Sequence, residues 1–157
     1  MRRIPAIATP FWGCPDPIPG SMGIAMPHPL VARLNLAPHP EGGWFRETMR
    51  APDPRGGRDL ATAILFLLDA GERSHWHRVD AAELWIWNHG HPLTLRIHDD
   101  DEIRDHLLGP DNPQMLVPAN AWQAAEPREG WALVSCVVTP GFDFAGFELA
   151  PPGWSPA

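Results

Sequence analysis

Proline recurs so often along this chain of 157 residues that no long helix can run through it: 20 positions are Pro, and 14 more are Gly. Proline has no backbone N–H and a fixed φ, so it ends helices and stays out of central strands. Between these breaks lie short apolar runs: Trp44 to Arg50, Ala61 to Leu68, Ser74 to Val79, Glu83 to Trp87, Leu93 to His98, Glu102 to Leu108, Gln114 to Val117, Ala121 to Ala125, Trp131 to Thr139 and Phe142 to Leu149. Short strands divided by turn residues predict an all-β sandwich or barrel. Asp99-Asp100-Asp101 is read as a hairpin tip between two of them. One short helix is expected over 29–36, where Leu30, Val31 and Leu34 follow Pro29 at helical spacing.

The length suits one domain. It is read as residues 28–151, preceded by a loosely ordered Pro-rich extension over 1–27 and followed by a tail over 152–157. Met22 and Met26 stand just before the first orderly segment and are read as alternative starts. Lys and Arg number 12 against 19 Asp and Glu, a formal net charge of −7, with the cations scattered. That disfavours nucleic-acid binding, which needs a concentrated positive surface. No apolar run reaches the roughly 18 residues of a membrane span, so no membrane partner is expected. Two cysteines, Cys14 and Cys136, make a poor disulfide framework, and a cytoplasmic location is the default expectation.

The stretch that carries chemistry is Gly71-Glu72-Arg73-Ser74-His75-Trp76-His77, followed by Glu83 and Gly90. Residues two apart on a strand face the same side, so His75 and His77 are expected to project together. If 79–82 turn the chain back, Glu83 returns on the neighbouring strand within reach of them. Two imidazoles and a carboxylate with open positions suit Fe(II), Mn, Ni or Zn without choosing among them. The plain alternative is that the histidines are ordinary strand residues.

Gly71, His75, His77, Glu83 and Gly90 resemble the first cupin motif. The second motif is matched by Pro118-Ala119-Asn120-Ala121-Trp122-Gln123, where Asn120 stands for the usual glycine and Gln123 for the usual histidine. The stretches 39–48, opening His39-Pro40-Glu41-Gly42-Gly43, and 139–149 are similar to the opening and closing signatures of an uncharacterised cupin family, the fifth cupin domain class, formerly a domain of unknown function. The resemblance spans about Leu30 to Leu149. It implies a double-stranded β-helix, a jelly-roll barrel, assembled as a homodimer, and a metal set of His75, His77, Glu83 and Gln123. It implies no particular reaction.

Other residues are assigned by strand parity. Either Arg46 or Glu47 faces the cavity; Arg46 suits an anionic group and Glu47 an acid or base. Trp85 and Trp87 share the face of Glu83 and, with Trp122, are candidates for stacking on a flat or sugar-like ligand. Phe142, Phe144, Phe147 and Trp154 are read as core or interface, and Cys136 as a small buried hydrophobe. Three functions stay open. One is a small-molecule-binding cupin, including a metal-dependent enzyme with His75, His77, Glu83 and Gln123 at the metal. The second is a metal-free epimerase-like or isomerase-like enzyme using His77, Glu83 or Glu47 in acid/base roles; cupin epimerases use a tyrosine as acid, and this chain has 0 Tyr. The third is a non-catalytic binding module.

Overall fold

The apolar runs become strands nearly where the sequence places them. In the computed structural model, which describes residues 27–157, the elements are a helix α1 (Pro29–Arg33) and eleven strands. The strands are β1 (Ala37–Pro38), β2 (Trp44–Ala51), β3 (Ala61–Leu68), β4 (Ser74–Val79), β5 (Ala82–Gly90), β6 (Leu93–Asp99), β7 (Glu102–Leu108), β8 (Gln114–Val117), β9 (Trp122–Pro127), β10 (Ala132–Thr139) and β11 (Phe147–Leu149). Almost all of the expected Pro-rich extension lies outside the described residues. The helix is shorter than expected, because Asn35 takes a positive φ and ends it. The expected last strand is divided: Phe144–Gly146 form a 3₁₀ turn, capped by the Asp143 side chain, before β11 begins.

Two antiparallel sheets face each other. One has the order β1-β2-β3-β10-β5-β8 and the other β11-β4-β9-β6-β7. Between them Phe66, Leu68, Trp85, Leu93, Leu95, Leu108, Val117 and Val134 make the main core. The outer face of the first sheet is covered by α1, whose Leu30 and Val31 meet Leu67 and Leu133. The outer face of the second is covered by the end of the chain, where Ala150 and Trp154 meet Trp76, Ala124 and Trp122. Each sheet therefore buries apolar residues at both strand parities.

Three turns carry unusual backbone. Asp100 and Asp101, both at positive φ, form the hairpin tip between β6 and β7. Asn120 holds φ 66° in the position where the cupin pattern has glycine; asparagine is among the few residues that tolerate that region. At Gly42, also at positive φ, a side chain would collide with the carbonyl of Arg73, so only glycine lets the 39–43 turn lie against the start of β4.

Phe66, 1 % exposed, meets Trp85 edge-on at the centre of the core. Phe66→Ala is expected to cost about 3–5 kcal/mol in urea denaturation; a loss below about 1 kcal/mol would mean that the core has been misassigned.

Candidate functional site

The sheets enclose a cavity of about 370 Å³, within the range of small-molecule sites. It is layered. Its floor is polar, with His39, Glu41, His77, Glu83 and Cys136; its walls are apolar, with Phe45, Ile64, Val79, Val138, Phe142 and Phe147; its rim carries Glu47, Arg50, Arg58, Asp59, Asp143 and Phe144. At the rim two loops are tied together: Gly141 N–H donates to the Asp59 carbonyl (2.8 Å), Phe142 N–H to Thr62 Oγ1 (2.9 Å) and Arg58 Nε to the Gly141 carbonyl (2.6 Å).

On the floor, Glu41 Oε2 lies 3.2 Å from His77 Nε2, and Ser74 Oγ donates to Glu41 Oε1 at 3.0 Å. His77 Nδ1 faces the His75 carbonyl at 2.8 Å, which accepts only, so the Nδ1 proton is fixed there and Nε2 is left as the acceptor. Burial pushes the Glu41 carboxyl up to about 8, against the Ser74 hydrogen bond that lowers it. Burial pushes His77 down, opposed by the charge of Glu83. Both shifts favour the neutral partners, with Glu41 O–H donating to His77 Nε2, over an ion pair. His39, also buried and near His77, is lowered to about 4.

A second chain of bonds orients Glu83. Trp85 Nε1–H only donates, and it reaches Gln123 Oε1 at 2.8 Å; the Gln123 amide nitrogen is thereby turned to donate to Glu83 Oε2 at 2.5 Å. Burial raises the Glu83 carboxyl, and it raises the Cys136 thiol beside it. Among the described residues no buried side-chain nitrogen or oxygen lacks a partner.

This geometry corrects the metal set expected from parity. The pairing of β4 with β9 runs Ser74 to Ala125 and His77 to Gln123, three steps against two, so β4 carries a bulge. The bulge brings Ser74 and His77 to the inner face. His75 is left outside, its Nε2 3.0 Å from the Pro151 carbonyl. The three inner residues are also unsuited to a cation. The carbonyl oxygen of Gln123, its only donor to a metal, is taken by Trp85, and His77 Nε2 is directed at Glu41. Among the described residues no group of three or more His, Cys, Asp or Glu is arranged to hold a metal ion.

The parity question at Arg46 and Glu47 is resolved in favour of Glu47, which lines the rim, while Arg46 is exposed elsewhere. A bulge between Glu47 and Met49 then keeps Arg50 on the same inner side. The three tryptophans do not line the cavity. Trp85 is fully buried beneath the floor, Trp87 packs at the far side of the core with its Nε1 on the His91 carbonyl, and Trp122 lies outside against Trp154 and Arg78. Phe142 and Phe147 do pack in a core cluster, yet both also form cavity wall, and Phe144 stands at the rim.

A family model described as Cupin superfamily (DUF985) matches residues 28–150. The chain belongs to this cupin family. It is 27 % identical to the uncharacterized protein YML079W of Saccharomyces cerevisiae over 153 residues, 77 % of this chain and 76 % of that one. Protein SO0799 of Shewanella oneidensis has a similar structure (TM-score 0.72, 37 % identity, 77 % of this chain and 82 % of that one). So has a hypothetical protein from Leishmania major (TM-score 0.68, 32 % identity, 76 % and 84 %). Oxalate decarboxylase of Bacillus subtilis shares the cupin fold at 17 % identity and TM-score 0.59, over 72 % of this chain and 29 % of its own.

Glu41, Ser74, Arg50, Arg58, Asp59 and Asp143 are among the site residues that the sequence reading does not select. The signal for Glu41 was present in Pro40-Glu41-Gly42-Gly43: two glycines after a carboxyl mark a backbone bent for close approach, and His75 N–H donates to the Glu41 carbonyl at 2.8 Å to fix it.

The buried Glu41 carboxyl has a stability consequence whose sign follows from its raised pKa. Folded Glu41 stays protonated up to about 8, whereas unfolded Glu41 ionises near 4.5, so its burial increasingly opposes folding as pH rises between those values. Glu41→Gln is expected to be more stable than wild type at pH 8 by a few kcal/mol at most, on the order set by that shift, and the gap is expected to close as pH falls toward 4.5. Urea melts of both proteins across this range check it; a gap independent of pH would show that Glu41 is ionised throughout.

Proposed function

We propose that this protein is a small-molecule-binding cupin whose Glu41–His77 pair moves a proton to or from a ligand held in the cavity. The observation that carries this reading is the 3.2 Å contact between two buried titratable groups, Glu41 and His77, at the end of a ligand-sized cavity. A carboxyl with a pKa near 8 is an acid still protonated at neutral pH yet able to give its proton up. The imidazole Nε2 is a neutral base in contact with it. His77 Nε2 can take a proton from one ligand atom while Glu41 gives its own to another, and the Nε2 proton then returns to Glu41 across the 3.2 Å contact, restoring the neutral pair. The Gln123 amide keeps Glu83 oriented beside them. This chemistry belongs to isomerisation and elimination reactions, in which a proton leaves one atom of the ligand and one returns to another.

The test is solvent-deuterium incorporation, read by proton NMR, into a panel of small carbonyl and amino compounds. Wild-type protein is expected to exchange a carbon-bound hydrogen of one compound class, and Glu41→Gln and His77→Gln to slow it by about 10²–10⁴-fold, the usual contribution of a positioned acid or base. Exchange unaltered in both variants would overturn the role of the Glu41–His77 pair, and exchange with no compound would reduce the protein to a binding module.

A homodimer is proposed on family grounds and because Ile103, Leu107 and Leu116 stand exposed on β7 and β8. Light scattering at micromolar concentration is expected to give twice 17.4 kDa; a monomer mass would refute it.

A further inference from the structure

We infer that the ligand of this cavity is a small organic cation, an amine or quaternary ammonium group on an apolar body. The inference rests on the cavity being the ligand site, as proposed above, and goes beyond it by naming the ligand's charge.

Charge is the first ground. Five carboxyl groups line the cavity, Glu41, Glu47, Asp59, Glu83 and Asp143, against two guanidiniums, Arg50 and Arg58. Leaving out the two floor acids, Glu41 and Glu83, three rim carboxylates still oppose two cations, and Asp80 adds a further carboxylate behind Arg58.

The second ground is that both guanidiniums are already occupied. Arg50 places Nε and Nη2 on the two oxygens of Glu47 (2.9 and 2.7 Å) and Nη1 on Asp59 (2.5 Å). Arg58 places Nη1 and Nη2 on the two oxygens of Asp80 (2.8 and 2.7 Å) and Nε on the Gly141 carbonyl. The fork that would grip a ligand carboxylate or phosphate is therefore filled twice over by the protein's own carboxylates. An anionic ligand would have to displace them while entering a net negative rim.

The third ground is the wall. Phe45 comes from β2, and Phe142, Phe144 and Phe147 come from the segment leading into β11, with ring centroids 5.0, 5.8 and 6.1 Å apart and edge-on to one another. Phe144 is 60 % exposed at the rim. Aromatic rings present negative faces, so a cation gains from them where an anion is repelled. The volume holds on the order of a dozen waters at about 30 Å³ each, which matches a ligand of about a dozen non-hydrogen atoms.

The probes are benzyltrimethylammonium and 3-phenylpropionate, similar in size and opposite in charge, titrated calorimetrically into the full chain at pH 7. The ammonium is expected to bind at least tenfold more tightly than the carboxylate. Phe144→Ala, at the exposed rim, and Asp143→Asn, whose amide oxygen can still accept from Ala145 N–H and cap the 3₁₀ turn, are each expected to weaken it at least threefold. Calorimetry reads binding in the wild-type protein with no exchange step, so ammonium binding without any deuterium exchange would leave this inference standing while refuting the proposed proton transfer. Equal or tighter binding of 3-phenylpropionate, no binding of the ammonium at 10 mM, or ammonium binding indifferent to both rim variants would overturn it.

Discussion

The contact between Glu41 and His77 is the one on which the rest of the site depends, because a carboxyl buried this deeply has few stable arrangements. It must find donors and acceptors inside the protein or stay neutral, and here it does both: Ser74 donates to one oxygen while the other meets an imidazole. Those partners are brought inward only by the bulge in β4, and Glu41 reaches them only because Gly42 passes against the carbonyl of Arg73. A regular β4 would put Ser74 on the opposite face from His77. The bulge is thus what builds the acid/base floor, and it is also what removes His75 from it.

That explains why the fold was far more legible than the site. Strand positions follow from apolar runs and from where proline and glycine interrupt them, and these survive an extra residue in a ladder. Which way a side chain points does not survive it, since one inserted residue reverses every parity beyond. His75 was misplaced for this reason. Trp85 and Glu83 keep the shared face that alternation gives them because the bulge on β5 falls after them, opposite Leu133 and Val134, whereas alternation alone left Arg46 and Glu47 undecided. Trp122 precedes the inward Gln123 on β9 and so faces outward by alternation, while Trp87, two residues beyond Trp85, packs on the core away from the cavity.

Gln123 illustrates a limit of reading a position by analogy. Sequence alignment to the second cupin motif makes it a substitute for histidine and hence a candidate ligand. In the barrel its amide is committed, oxygen to Trp85 and nitrogen to Glu83, and the commitment is directional because an indole can only donate. In this chain the position holds a carboxyl. Asn120 is the opposite case, a replacement that keeps the backbone role of the residue it substitutes, at φ 66°.

With Gln123 on the Glu83 carboxyl, the floor holds two acids and an imidazole at close quarters. The amide satisfies an oxygen without adding charge, and so leaves Glu41 and His77 free to share a proton. A histidine at position 123 would change that balance, since it can carry a proton of its own and compete for the acidic ones. Gln123→His is accordingly expected to lower the pKa of Glu83 and to draw the proton away from the Glu41–His77 pair. Nitrogen-15 NMR of the histidine side chains follows this directly: in wild type His77 stays neutral with its proton on Nδ1 at pH 6, and in Gln123→His a second buried imidazole, charged at that pH, is expected beside it.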